Sequence, residues 1–426
     1  MEIKMNLLDF YTKKEINFKG NVKIYLCGPT VYDEPHIGNM RPIIIFDVLN
    51  KVLSLKQNVE FIHNITDVDD KIINRSLELN IPEITLTNKN FEIYLDLLEK
   101  LNIKKPTYLP KVSEHIEGMI EFINDLIEKD YAYESNGSVY FSIKKFKNYG
   151  KLGEINIGEL IKKSFLNDKE HGEDFVIWKK TNIGINWNSP WSKGRPGWHT
   201  ECSYFIKKFF GDKKLDIHGG GIDLKFPHHI NEMAQYEAYY NFSETSKSWI
   251  YVGQLNINSK KMSKSEGNFI KATDFINEYG ANTLRIINLL TSYSKPINLT
   301  EEVINNAKNL LNKVKNTLRK TLINLAKEKN RRKLSNVKPT KKFVDILSNN
   351  LETPNAITFI LNQIKILNID KNKVNKEKIV EEIIANFSLL GIKFNILYNE
   401  LKNEIRESSL KKDYNKLDEL RERLVN

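Results

Sequence analysis

The 426-residue sequence is poor in the residues that usually mark a metal or redox protein. It has two cysteines, Cys27 and Cys202, and eight histidines. A disulfide-rich secreted scaffold is excluded by that count. Long apolar runs are also missing: the densest cluster, IIIF at 43–46, is far short of the ~20 residues needed to cross a bilayer. The first residues, MEIKMNLLDFYTKK, carry neither the apolar core nor the small-residue cleavage site of a signal peptide. A mature, cytoplasmic protein with no membrane partner is therefore expected. In that compartment the cysteines are expected to be reduced or metal-bound rather than bridged.

Enough apolar material is present for a packed core. Hydrophobic residues make up 40% and aromatics 10%, which rules out a disordered chain. The net charge of +11 is unevenly placed: residues 301–426 hold 26 Lys and Arg against 16 Asp and Glu, leaving the first 300 nearly neutral. A neutral body with a basic tail suits a polyanion such as RNA. The chain is rich in Lys, Asn and Ile throughout, but such a bias alone would not leave the acidic residues in balance only in the first part.

Residues 22–27, VKIYLC, form a short β-rich run ending in the turn signal GPT. Helical spacing of apolar residues begins near residue 38. VEFIHNITDV (59–68) reads as a second strand and DKIINRSLELN as a second helix. Strand, glycine turn, helix and strand open a parallel α/β, Rossmann-like sheet. Residues 87–130 read as helical, 133–143 as a hairpin turning at Asn136-Gly137, and 145–195 as an irregular insertion. Strands are expected at 215–224, running into a glycine turn, and at 248–257. Past residue 280 the pattern is helical almost throughout, as in an all-α helical bundle. The expected domains are 1–115 and 196–280 as the two halves of a catalytic domain, 116–195 as a connective insertion, and 281–426 as a helical RNA-binding domain.

Three stretches carry chemistry. In DLKFPHHINEMAQ (223–235), Glu232 lies four residues after His228 and three after His229. On a helix either histidine shares a face with it, and spacing does not choose between them. Zinc takes imidazole, thiolate and carboxylate, usually four in all, so two further ligands would come from elsewhere. Cys27, at the end of the first strand, and Cys202, in GWHTECSYF, are the cysteines available. Both could equally be small buried hydrophobes. The second stretch, GPTVYDEPHIGNMR (28–41), places His36, Gly38 and Asn39 where a strand gives way to a helix, whose N-terminal N–H groups suit phosphate. Gly38 leaves room for close approach. The third, KKMSKSEGN (260–268), is a basic, serine-rich loop able to close on a triphosphate.

Together the last two stretches resemble the HIGH and KMSKS signatures of class I aminoacyl-tRNA synthetases. CGPTVYDEPHIGN, NITDVDDKI, GRPGWHTECS, DIHGGGIDLKFPHHINEMAQ and KMSKSEGN are most similar to the blocks of the cysteinyl-tRNA synthetases, from about residue 6 to near the end. The resemblance implies one Zn²⁺ per chain on Cys27, Cys202, His228 and Glu232, with His229 a neighbour. It implies ATP contact by His36, Gly38, Asn39 and Lys264, with Lys261 assisting, and substrate-pocket positions at Thr66, Trp198 and Asp223. The implied partners are ATP with Mg²⁺, L-cysteine and tRNA(Cys), for a chain acting as a monomer. Asn39 departs from the second His of HIGH, although its amide can still donate to phosphate. Ile230 stands where many relatives carry Glu. Two rivals share parts of this pattern. A small-molecule cysteine ligase would not need the basic tail, and an RNA-binding protein with a structural zinc would not need both ATP signatures.

Overall fold

The computed structural model describes residues 5–150, 168–211, 214–241, 244–262, 267–328, 333–369 and 375–426. Strands β1 (Asn6–Leu8) and β2 (Glu15–Asn17) form a small antiparallel pair. Then come β3 (Asn21–Leu26), α1 (Met40–Leu53), β4 (Asn58–His63), α2 (Asp70–Leu79), α3 (Glu83–Lys100) and α4 (Ile116–Glu128). Strands β5 (Ala132–Ser135), β6 (Ser138–Phe141), β7 (Phe175–Lys180), β8 (Trp187–Asn188) and β9 (Lys193–Pro196) follow. Helices α5 (Trp198–Phe210) and α6 (Ile230–Tyr240) flank β10 (Leu215–Gly221) in sequence. Strands β11 (Ser246–Val252), β12 (Leu255–Ile257) and β13 (Lys260–Lys261) lead to α7 (Ala272–Tyr279) and α8 (Ala281–Leu289). After β14 (Ile297–Leu299) come α9 (Glu301–Lys327), α10 (Lys341–Ser348), α11 (Thr353–Ile369), α12 (Lys376–Leu389), α13 (Tyr398–Leu410) and α14 (Tyr414–Leu424). Among the described residues, no helix is long and apolar enough to cross a membrane.

The central sheet has the order β11-β10-β3-β4, with every neighbouring pair parallel. Side chains alternate across it, as the two-residue period of a strand requires. Val22, Ile24 and Leu26 of β3 face a core shared with α1 and the C-terminal helices. Tyr25 and the following Cys27 face the opposite core, shared with α4, α5 and α6. Neither face is solvated, which explains the near-continuous apolar sequence of these strands. The alternation matters for chemistry, because it sends Cys27 toward the helices that carry Cys202 and Glu232.

The sequence reading holds for β3, α1 and α2, and for the hairpin, whose Asn136 and Gly137 take positive φ values of 53° and 85°. It differs in six places. The strand expected over 59–68 ends at His63. The helix expected over 87–130 is broken between α3 and α4. There, the segment around Pro106 and Pro110 is extended and hydrogen-bonds along β4, through Tyr108 N–H to Phe61 O and His63 N–H to Tyr108 O. Within the stretch expected to be irregular, Phe175–Lys180, Trp187–Asn188 and Lys193–Pro196 are strands. They supply β7, β8 and β9 of a five-stranded antiparallel sheet around the buried Trp178. At 215–224 the strand continues through the glycines to Gly221. At Gly219 a Cβ would stand 2.0 Å from the Phe46 ring, so this position needs glycine for packing against α1. The strand expected at 248–257 is two strands, divided at Gly253-Gln254. Finally, β14 interrupts the helical region and pairs in parallel with β12.

A buried ion pair fastens α1 to the helical region. Asp47 on α1 and Arg285 on α8 have fully buried side chains 2.5 Å apart. Arg285 also donates to Leu101 O and Leu390 O, while Asp47 accepts from Lys104 N–H. Gly391 is required beside it, since a Cβ there would lie 2.1 Å from the guanidinium. Removing one partner of such a pair strands the other charge. Asp47→Ala is therefore expected to cost about 3–5 kcal/mol, read as a lower urea midpoint, whereas Lys100→Ala, which breaks an exposed pair with Asp96, should leave the midpoint nearly unchanged.

Candidate functional site

Four elements meet at the carboxyl end of the central sheet, where parallel sheets place their ligands. Cys27 follows β3, His218 lies on β10, Cys202 is in α5, and His228, His229 and Glu232 sit at the start of α6 and just before it. All six side chains are buried. Cys27 Sγ lies 4.0 Å from Cys202 Sγ, 3.2 Å from His229 Nε2 and 3.4 Å from Glu232 Oε1. His228 Nε2 reaches Glu232 Oε1 at 2.5 Å and Cys202 Sγ at 3.7 Å. The donor atoms fall into two overlapping groups, each within 4.8 Å: Cys27, Cys202, His228 and Glu232, and Cys27, His218, His229 and Glu232. The first contains the four ligands expected from the sequence. The second adds His218, which the sequence reading passed over although it stood in DIHGGG.

The chemistry of this cluster is set by burial and by the charges its members place on one another. Burial pushes the Cys27 thiol up, but its hydrogen bond with Cys202 and the surrounding imidazoles outweigh that and hold it well below an ordinary thiol. Burial and the Cys27 sulfur drive Cys202 the other way, well above. Desolvation opposes protonation of His228, yet the adjoining Glu232 carboxylate wins and raises it to about 10. His218 rises to about 9 despite burial, through Cys27 and Glu232. Two thiols, a carboxylate and imidazoles in one dry space form a soft donor set that fits zinc. Glu232 Oε2 supports this: it is buried with no hydrogen bond of good geometry, although His218 Nε2 stands 3.0 Å away.

The neighbours orient these donors. His199 Nδ1 meets His228 Nδ1 at 2.8 Å. Burial and the nearby His228 depress His199 to about 3, so it stays neutral and accepts a hydrogen bond from His228. His228 then turns Nε2 into the cluster, an outer-shell arrangement of the kind that fixes a metal-binding tautomer. Trp198 stacks on the same imidazole at 4.0 Å.

Beside the cluster opens a cavity of about 300 Å³. Cys27, His36, Gly38, Asn39, Trp198, Asp223, Lys261 and Met262 all reach its wall, so residues of both expected constellations share one space. His36 Nδ1 accepts the backbone N–H groups of Gly38 and Asn39. Those donors are therefore taken, and a neutral His36 carries its proton on Nε2. Asn39 Oδ1 accepts the His36 N–H, leaving its amide N–H₂ as the donor. A Cβ at Gly38 would lie 2.9 Å from the His36 ring and 3.0 Å from Met262 Cε, so glycine lets the two signature stretches touch. Lys261 Nζ lies 4.0 Å from Asp223 Oδ2, both side chains being exposed. Thr66 does not reach the wall: it is buried, and its hydroxyl donates to Glu201 Oε1 at 2.6 Å. Lys264 lies outside the described residues.

Residues 13–309 match the family model of tRNA synthetases class I (C) catalytic domain. The chain is 42% identical to a cysteine–tRNA ligase of Malacoplasma penetrans, covering 99% of each chain. It is 39% identical to that of Mycoplasma mycoides, covering 97% of each. The chain belongs to the cysteine–tRNA ligase family. Its fold is also that of the Mycobacterium tuberculosis methionyl-tRNA synthetase solved with methionyl-adenylate, at a TM-score of 0.61 and 13% identity, over 92% of this chain and 93% of that one.

Within this cysteine–tRNA ligase family member, Ile230 is 1% exposed and packs in the core shared by α4, α5 and α6. A carboxylate there would need a partner. Two outcomes are expected of the cluster. Metal uptake should release protons and weaken as pH falls from 8 toward 5.5, because His228, raised to about 10, is protonated without metal and must be neutral to bind it. A pH-indicator titration reads this. His199→Ala should lower zinc affinity about 10–100-fold, the usual loss for an outer-shell partner, measured by chelator competition.

Proposed function

We propose that the chain activates L-cysteine with ATP, forming cysteinyl-adenylate and pyrophosphate, and then transfers the cysteinyl group to the 3′-terminal adenosine of tRNA(Cys). The observation that supports this most is the junction of the Cys27 cluster with the cavity lined by His36, Gly38, Asn39 and Lys261. The relatives carry the same name over nearly their whole length.

In the first step the cysteine carboxylate attacks the α-phosphorus of ATP, bound as its magnesium complex, and the bond to the β-phosphate oxygen breaks. His36 Nε2–H and the Asn39 amide donate to phosphate and ribose oxygens. Lys261 and Lys264 neutralise the departing pyrophosphate. In the second step a ribose hydroxyl of the tRNA attacks the acyl carbon and AMP leaves. These residues position groups and stabilise charge without a covalent enzyme intermediate. Cys27, Cys202, His228 and Glu232 would hold zinc. When bound there, zinc supplies a preference for the thiolate of cysteine over the hydroxyl of serine, which keeps its proton near pH 7. Trp198 and Asp223 face the same cavity and would hold the amino acid. Thr66 would support that pocket through Glu201.

On this reading residues 1–115 and 196–280 form the catalytic domain, 116–195 the insertion, and 281–426 the part that meets tRNA, in a monomer working in the cytoplasm. Phosphate contacts would fall to the basic residues between 313 and 342 or to those on the helices that follow.

Three measurements test the proposal. Cysteine-dependent pyrophosphate exchange should be present, and preference for cysteine over serine should collapse after zinc removal; unchanged selectivity would overturn the metal's role. Lys264→Ala should lower the exchange kcat by about 10²–10³, as for loss of a group that stabilises developing charge. Affinity for tRNA should fall steeply between low and moderate salt; a flat response would count against phosphate contacts.

A further inference from the structure

Arg41, on the first turn of α1, is 1% exposed. Among the described residues no carboxylate pairs with it. Its guanidinium is instead spent on carbonyl oxygens of two distant segments. Nη1 donates to Gly253 O at 2.7 Å and Gln254 O at 2.9 Å. Nη2 donates to Lys295 O at 2.7 Å, with Ser292 O and Tyr293 O at 3.3 and 3.4 Å. The first segment is the break between β11 and β12, and the second joins α8 to β14. The segments also bond directly, through Gly253 N–H to Tyr293 O and Ile297 N–H to Gln254 O.

Neither the sign nor the burial of Arg41 suits a mere staple. A cation at a helix start opposes the macrodipole, and a buried charge is normally paired. Both features add positive potential where α1 begins, beside His36 and Asn39. Gly253 and Gln254 line the cavity, and the chain runs from them into the β12–β13 hairpin that ends in Lys260 and Lys261. A Cβ at Gly253 would lie 2.4 Å from Lys295 O, so the segments meet there without slack. Arg41 thus ties the start of α1 to the strand break that sets the opposite wall and to the base of the lysine-bearing hairpin.

We infer that Arg41 is a positioning residue for ATP: through the Gly253-Gln254 carbonyls it fixes the spacing between the His36-Asn39 turn and the Lys261 hairpin, and so the space left for a triphosphate. This rests on the nucleotide reading of the cavity. Lysine keeps the charge but lacks the planar fork that spans both segments, so geometry and charge can be separated.

The test is Arg41→Lys, assayed by pyrophosphate exchange with zinc content and circular dichroism in parallel. The expected result is a KM for ATP raised about tenfold, the equivalent of one charged hydrogen bond, with the KM for cysteine and the zinc content within about twofold of wild type. A folded Arg41→Lys protein with an unchanged KM for ATP overturns the inference. So does a parallel rise in both KM values, which would mark a general structural loss. If Arg41→Lys does not fold, Gly253→Ala, which forces the same two segments apart, is read in the same way. If the wild-type protein shows no cysteine-dependent exchange, the proposed function fails rather than this inference. Calorimetric titration with ATP alone then compares wild type and Arg41→Lys, and equal affinities sink it.

Discussion

The structure depends on one electrostatic demand: two thiols, a carboxylate and three imidazoles are buried in two overlapping groups, each within 4.8 Å, so every negative charge there needs a positive one beside it. Cys27 and Cys202 lie 4.0 Å apart and are pushed in opposite directions, the first toward the thiolate and the second away from it. A Cys27 thiolate and the Glu232 carboxylate, 3.4 Å apart and buried, are unfavourable together without a compensating charge. Here protonated His218 and His228 supply that charge. Metal binding would exchange those protons for a divalent ion, which is why the arrangement suits zinc better than it suits a hydrophobic core. The fold serves the same demand. Alternation along β3 and β10 turns Cys27 and His218 to one face, and α5 and α6 cross that face with Cys202 and Glu232.

The cluster and the cavity are connected rather than adjacent by chance. Cys27 belongs to both. Trp198 lines the cavity while stacking on His228, so one wall of the cavity also constrains an imidazole of the cluster. At the other end, Gly38 lets the His36 ring and Met262 approach the same point. A molecule filling the cavity would touch both sequence signatures and the Cys27 cluster at once. Selection by sulfur and activation by ATP would then be read on a single bound geometry.

Much of this was legible in the residues themselves. The pattern of VKIYLC and the apolar run after it gave β3 and α1, and Asn136-Gly137 gave the hairpin. Cys27, Cys202, His228 and Glu232 were identifiable from residue chemistry together with family resemblance, and the structure brings all four together. What stayed hidden depends on contacts between distant segments. Spacing along α6 could not separate His228 from His229, and both in fact reach the cluster. His218 was passed over because a lone histidine in a strand has no local partner, although β10's alternation would have aimed it at Cys27. Periodicity missed the break after α3, because Pro106 and Pro110 redirect the chain onto the edge of β4. It also missed β7 and β9, where glycine and tryptophan masked the strands. Arg41 carried no signal either, since its partners are carbonyls that any sequence would offer.

Charge also orients whatever the cavity accepts. At one end the cluster calls for a cation that would favour a thiolate. At the other, the macrodipole of α1, the Arg41 guanidinium held on backbone carbonyls and Lys261 favour an anion. A cysteine whose sulfur takes the first end and a triphosphate that takes the second have one mutual arrangement in a space of about 300 Å³. On the proposed reading the amino-acid carboxylate would then fall between them, toward the α-phosphorus. On the proposed reading the catalytic groups need supply no strong base or nucleophile. The polarity of the cavity does the aligning, and the buried tie at Arg41 holds the start of α1 against the Gly253-Gln254 wall.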